Sequence, residues 1–130
     1  MIHEIVVETR SREQMVDITD QVAAVVSSAA TGDGVAWVYC PHTTAGLTIQ
    51  ENADPDVAAD ILAHLRRLVP QLREFRHSEG NSDAHIKSTL VGASQAIPFS
   101  EGRLRLGTWQ AIYFCEFDGP RRRRVLVHVP

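Results

Sequence analysis

Asp54-Pro55 opens a helix that Pro70 has to close, and chain of β character lies on both sides of it. Asp accepts hydrogen bonds from free first-turn amides, and proline at the first helical position gives up an N–H that has no partner there anyway. Val57, Ile61, Leu65 and Leu68 then recur at helical spacing as one apolar stripe. Arg66 and Arg67 suit the negative end of the helix dipole. Before this helix, Ile5 to Thr9, Val16 to Ile18, Val35 to Cys40 and Leu47 to Gln50 read as strands, rich in β-branched and aromatic residues. Thr19 or Asp20 is placed to cap a helix through Val22 to Val26, closed by Gly32 and Gly34. After it, Ser82 or Asp83 is placed to cap a short helix from Ala84 to Val91 that Gly92 ends. Ala96 to Phe99, Leu104 to Leu106, Trp109 to Phe117 and Val125 to Val129 read as a β-meander, with a hairpin turn at Asp118-Gly119. This order predicts an α+β fold: one domain over residues 1–130, with largely antiparallel β-sheets packed against a few helices.

Composition narrows the function. The 130 residues are 44% hydrophobic and 22% charged, with a formal net charge of -3. That balance argues against general nucleic-acid binding. No apolar run approaches the roughly 20 residues of a membrane helix. The Met1-Ile2-His3-Glu4 start lacks the pattern of a secretory signal. Two cysteines in apolar, strand-like segments, Cys40 and Cys115, read as buried free thiols. A cytoplasmic protein is expected.

Three histidines carry the chemistry. His77 and His85 flank Gly80, Asn81, Ser82 and Asp83, and His42 sits in the loop-like Pro41-His42-Thr43-Thr44-Ala45-Gly46. In one helix His77 and His85 would stand about 12 Å apart along the axis. In a strand they would be about 26 Å apart. Zinc–nitrogen bonds are about 2 Å, so only a turn at Gly80-Asn81 lets both reach one ion. Either His42, His77 and His85 form an open zinc site with water, or they are polar loop histidines without a shared role.

Asn81, Ser82 and Asp83 also begin a helix, whose free N–H groups favour a phosphate. Thr43, Thr44, Lys87, Ser88 and Ser94 add donors. Ordinary capping is the competing role for Asn81 to Asp83. In the acidic run from Gln50 to Asp60, Asp54 reads as a cap and Asp56 and Asp60 as solvated. Glu51 and Asn52 are the better candidates there, and carboxylate and amide oxygens suit Mg²⁺ beside a pyrophosphate. Arg121 to Arg124 reads as a solvated edge, or else as a phosphate or subunit contact.

An ordered set of motifs resembles the YjbQ-like family, the secondary thiamine-phosphate synthases. It comprises Pro41-His42-Thr43-Thr44-Ala45, then Glu51-Asn52-Ala53-Asp54 leading to Asp60, His77, Gly80-Asn81, Asp83-Ala84-His85 and Leu90 to Ser94. It continues through Ser94-Gln95-Ala96-Ile97-Pro98, Gly102 and Leu106-Gly107-Thr108-Trp109-Gln110. Ala93 departs from the proline of many relatives. The resemblance implies a homotrimer and a pocket holding His42, His77 and His85, with a divalent metal, zinc foremost. It implies joining of hydroxymethylpyrimidine pyrophosphate to thiazole phosphate with loss of pyrophosphate.

In that reaction the histidines and Glu51 are the expected catalytic groups. Thr43, Thr44, Asn52, Asn81, Asp83, Lys87, Ser88, Ser94, Trp109 and Gln110 are expected around a phosphorylated small-molecule ligand. Trp109 would stack on a ring with Gln110 bonding beside it, and a core Trp109 is the plainer alternative. A three-histidine site suits zinc better than Mg²⁺. The same pocket therefore also fits a zinc-dependent hydrolase, or a non-enzymatic metal or phosphometabolite sensor.

Overall fold

The computed structural model describes residues 1–130. In chain order the elements are β1 (Ile2–Glu8), β2 (Gln14–Asp17), α1 (Thr19–Ala29), β3 (Asp33–Tyr39), β4 (Ala45–Glu51) and α2 (Pro55–Leu68). They continue with α3 (Ser82–Val91), β5 (Ser94–Ser100), β6 (Arg103–Leu104), β7 (Gln110–Glu116) and β8 (Arg122–His128). The α+β fold expected from the sequence is the one observed. Five strands form one sheet in the order β1-β8-β3-β5-β6, and three form another in the order β2-β7-β4. Every pairing is antiparallel. No helix is long and apolar enough to cross a membrane.

Strand alternation builds the core. Ile5 and Val7, Ala36 and Val38, Ile97 and Phe99, and Val125 and Val127 all point inward from the larger sheet. They meet Leu47, Ile112 and Phe114 of the smaller sheet and Val22 and Val26 of α1. A second apolar cluster lies on the other face of the smaller sheet. There Ala111, Tyr113, Cys115 and Phe117 pack with Ala84 of α3 and the half-buried Leu62 and Leu65 of α2.

Asp54 caps α2 as expected, accepting from the Asp56 amide at 2.9 Å. Three local expectations fail. The residue preceding α1 is Ile18, and Asp17 serves its start by accepting from Thr19 N at 2.9 Å. Thr19 turns elsewhere, its hydroxyl accepting from Ile112 N. Gly34 does not close the helix but lies within β3, where a Cβ would stand 2.6 Å from the Phe99 ring. Asp118-Gly119 is not a hairpin turn either. It lies in the link that carries the chain from β7 in one sheet to β8 in the other.

That link places a charge pair between the sheets. Arg123 of β8 is 4% exposed and Glu116 of β7 is fully buried. Arg123 donates through Nε and Nη2 to Glu116, and through Nη2 to the Thr44 hydroxyl at 2.8 Å. Glu116 also accepts from the Thr9 hydroxyl at 2.8 Å and the Asp118 amide at 3.0 Å. Burial alone would raise the Glu116 pKa. The bonds from Arg123, Asp118 and Thr9 outweigh it and hold the carboxyl below the usual range.

Removing one partner of such a pair leaves the other charge buried and unanswered. Arg123→Met is expected to destabilise the fold by about 3–5 kcal/mol in urea unfolding. The double replacement Arg123→Met with Glu116→Leu is expected to recover most of that loss. A double variant as unstable as the single one would contradict this.

Candidate functional site

The loop between β3 and β4 carries His42, and the end of a strand pairing explains its position. The pairing of β3 with β8 stops at Tyr39 opposite Leu126. Two residues further along that register Pro41 faces Arg124, and proline has no N–H to offer a strand. The His42 ring meets the main chain of Arg124 instead. Its Nε2 accepts from Arg124 N at 3.0 Å and lies 3.1 Å from Arg124 O. Burial and the neighbouring Arg123 push the His42 pKa below the usual 6.5. A neutral ring accepting from Arg124 carries its proton on Nδ1.

Opposite the loop, α3 supplies the second wall. Its end packs tightly on β4, because a Cβ on Gly46 would stand 2.7 Å from Gly92 O. Ser88 Oγ adds a bond to Ala45 O at 2.7 Å. The chain leaves the helix through Gly92 at φ 97°. Two adjoining clefts result, both lined by Pro41, His42, Thr43 and His85. One, of about 650 Å³, adds Cys40, Ser88 and Thr89. The other, of about 420 Å³, adds Thr44, Glu79, Asn81, Asp118, Arg121 and Arg123.

The arginine run divides by strand alternation. Arg122 and Arg124 face outward, 3.8 Å from Glu8 and Glu4 respectively. Arg121 pairs with Asp118 at 3.1 Å. Arg123 turns inward, with Nε and Nη2 engaged and Nη1 outside those bonds. The run stands out in the sequence, but the separate role of Arg123 does not. A basic residue at an inward position of an apolar strand was the signal for it.

The expected site residues separate into four places. His42, Thr43, Thr44, Asn81, His85 and Ser88 meet at the paired clefts. His77 is exposed, its ring packing edge-on to His85 at 5.4 Å between centroids. Glu51, Asn52, Trp109 and Gln110 sit at the opposite end of the smaller sheet. There Asn52 N donates to Trp109 O at 3.1 Å, and Asn52 Nδ2 to Asp17 at 2.8 Å. The length of β4, roughly 20 Å, separates that end from the histidines. Trp109 is 63% exposed, which excludes the core role as well. Ser94 is on the outer face of the larger sheet, just past Ala93 of the cleft wall.

Asp83 and Lys87 differ most from expectation. Both are 1% exposed and line another cleft altogether. Lys87 donates to Glu13 and to Asp83, and Arg12 grips Asp83 with two bonds of 3.1 Å. Asp83 is therefore not a cap. The cap position is Asn81, whose side chain makes no capping bond and donates instead to Asp118 at 2.8 Å.

The three histidines do not surround one point. No three His, Cys, Asp or Glu side chains are grouped to hold a metal ion. His42 Nε2 is committed to the main chain of β8. This donor set does not fit a three-histidine zinc centre. Neither cysteine is poised as a nucleophile: burial raises the Cys40 thiol and pushes Cys115 up to about 12.

A histidine kept neutral in the fold and free to protonate when unfolded stabilises the fold above about pH 6.5, and that stability is lost as pH falls. His42→Ala is expected to cost about 1 kcal/mol at pH 8, from the lost main-chain bond. It should also flatten the fall in melting temperature between pH 7 and pH 5 seen by calorimetry. An unchanged acid slope would show that His42 is not the group responsible.

Residues 3–130 match the family model described as UPF0047 protein YjbQ-like. A UPF0047 protein of Methanocaldococcus jannaschii is 52% identical over 129 residues, covering 99% of this chain and 94% of that one. The UPF0047 protein YugU of Bacillus subtilis is 52% identical over 124 residues, covering 95% and 94%. A crystal structure of a YjbQ/UPF0047 protein from Clostridium acetobutylicum superposes with a TM-score of 0.95 at 52% identity, covering 98% and 99%. A YbjQ-like protein of unknown function from Sulfolobus solfataricus gives 0.92 at 32% identity, covering 98% and 94%. Matched along nearly its whole length in both sequence and fold, the chain belongs to the YjbQ-like UPF0047 family.

Proposed function

We propose that the paired clefts bind a phosphorylated small molecule, and that the chain is an enzyme acting on it there. One observation carries this reading. The uncapped start of α3 opens beside His42, His85, Arg121 and Arg123, with Glu79 and Asp118 also on the wall and Asp118 paired to Arg121. Free first-turn amides and the helix dipole favour an anion. A neutral His42 with its proton on Nδ1 can donate to one, and Arg123 Nη1 can reach toward it. His85, half-buried and free of main-chain bonds through its ring, is placed to give a proton to the departing pyrophosphate.

The reaction that fits the family resemblance is of the thiamine-phosphate synthase type. A C–N bond forms between the pyrimidine methylene and the thiazole nitrogen, the C–O bond to pyrophosphate breaks, and pyrophosphate leaves. Donors fixed where that charge develops supply the stabilisation. No step is routed through a metal. A second reading, a phosphometabolite sensor, rests on the same clefts, where no third His, Cys, Asp or Glu joins His42 and His85 to form a metal centre.

The homotrimer is part of the same proposal. Ile2, Val6, Val35, Trp37 and Tyr39 lie exposed on the outer face of the five-stranded sheet. These residues lie on either side of β8, whose outward Arg124 pairs with Glu4 between them, and exposed apolar residues rimmed by charge mark an interaction face. Subunit packing there would border the clefts, because Tyr39 lines one of them.

His85→Ala is expected to lower condensation of the two phosphorylated halves at least 100-fold, within the usual range for a proton-transfer group, with the circular dichroism spectrum unchanged. Full activity would remove His85 from the site, and binding without turnover in the unaltered protein would favour the sensor. Sedimentation is expected to give three times the chain mass, with Trp37→Asp reducing it to the monomer. A monomeric unaltered protein would contradict the assembly.

A further inference from the structure

Opposite faces of α3 line different clefts. Asn81, His85 and Ser88 recur at spacings of four and three and so share the face toward the histidine loop. Asp83 and Lys87 lie two residues out of step, roughly 200° around the helix. Their cleft, of about 440 Å³, is enclosed by the β1–β2 loop, the end of α2 and α3, and no hydrophobic residue lines it.

Charges there run in a chain: Arg66, Glu13, Lys87, Asp83, Arg12. Arg66 Nε donates to Glu13 at 2.8 Å, Lys87 bridges Glu13 and Asp83, and Arg12 closes on Asp83. Burial raises the two carboxyl pKa values, but the bonds from Lys87 with Arg66, and from Arg12 with Lys87, hold both below the usual range. Every other ion pair in the protein joins one base to one acid. Here three bases share two acids, and Asp118, which also acts on Arg12, is paired with Arg121, so one positive charge is left over.

The donors are unanswered as well. An ammonium has three N–H groups, and Lys87 uses two of them on protein oxygens. Arg66 uses only Nε, so both its terminal nitrogens are open. Ser11 and Gln71 add polar groups to the same wall. A tetrahedral oxyanion would accept from Lys87 and Arg66 together and neutralise the surplus charge.

We propose that this cleft is a second anion site, for a phosphate-type oxyanion, held by Lys87 and Arg66 on the face of α3 opposite the histidines. Because α3 is a wall of both clefts, its occupation is felt at His85.

Inorganic phosphate titrated into the protein, followed by amide chemical shifts, tests this. Shifts are expected at Ser11, Arg12 and Gln71, with smaller ones at His85. Arg66 is exposed, so Arg66→Gln keeps the fold and is expected to weaken binding at Ser11 and Gln71 about tenfold, the cost of one charged hydrogen bond. Arg66→Lys is expected to restore part of it. His85→Ala is expected to leave binding at Ser11 and Gln71 intact, which separates this site from the histidine clefts. No shifts at Ser11 and Gln71, or equal affinity in Arg66→Gln, would overturn the proposal.

Discussion

The buried pair between Arg123 and Glu116 is where the two sheets become one structure. Consecutive strands β7 and β8 share no hydrogen-bond ladder, because they belong to different sheets. What joins them beyond apolar packing is this pair, together with Thr9 and Thr44. A buried pair of this kind gives little net stability against a well-packed apolar substitute, since desolvation offsets most of the attraction. Its value here is directional. A guanidinium fork accepts one geometry, and that geometry fixes how β8 lies against the start of β4, where Thr44 ends the His42 loop.

From that joint the histidine clefts follow by local necessity. Pro41 interrupts the pairing of β3 with β8, and His42 supplies the ring nitrogen that the main chain of Arg124 would otherwise lack. Gly46 admits the end of α3 so closely that no side chain could stand between. The helix then serves as a partition between clefts. It has no broad apolar stripe, because one side meets the core through Ala84 while two others carry polar groups toward opposite clefts. Its fully buried Lys87 is tolerable only because two carboxylates meet it.

Much of the fold was legible because its signals are local. Asp54-Pro55 and the stripe from Val57 to Leu68 give α2, and alternating apolar residues give most of the strands. What misled was a local signal that tertiary structure overrode: Asp118-Gly119 has hairpin chemistry, yet the chain there changes sheets. The site was legible in part. His42, His85, Asn81 and Ser88 converge as expected, since their motifs bracket the loop and one face of α3. Lys87 and Asp83 line a different cleft from the histidines because, two residues out of step with His85, they face the other side of α3. Arg123 was missed because its partner, Glu116, lies across a sheet boundary that no spacing reveals. Glu51 and Trp109 lie beyond the reach of the cleft within one subunit, at the far end of β4.

The most direct test of the site is a crystal grown with tungstate, a tetrahedral oxyanion that scatters anomalously. An anomalous peak is expected beside the first turn of α3, within hydrogen-bonding distance of Arg123 Nη1 and facing His85. Clefts free of tungsten at a concentration that saturates the protein in solution would contradict an anion site organised around the Arg123–Glu116 pair.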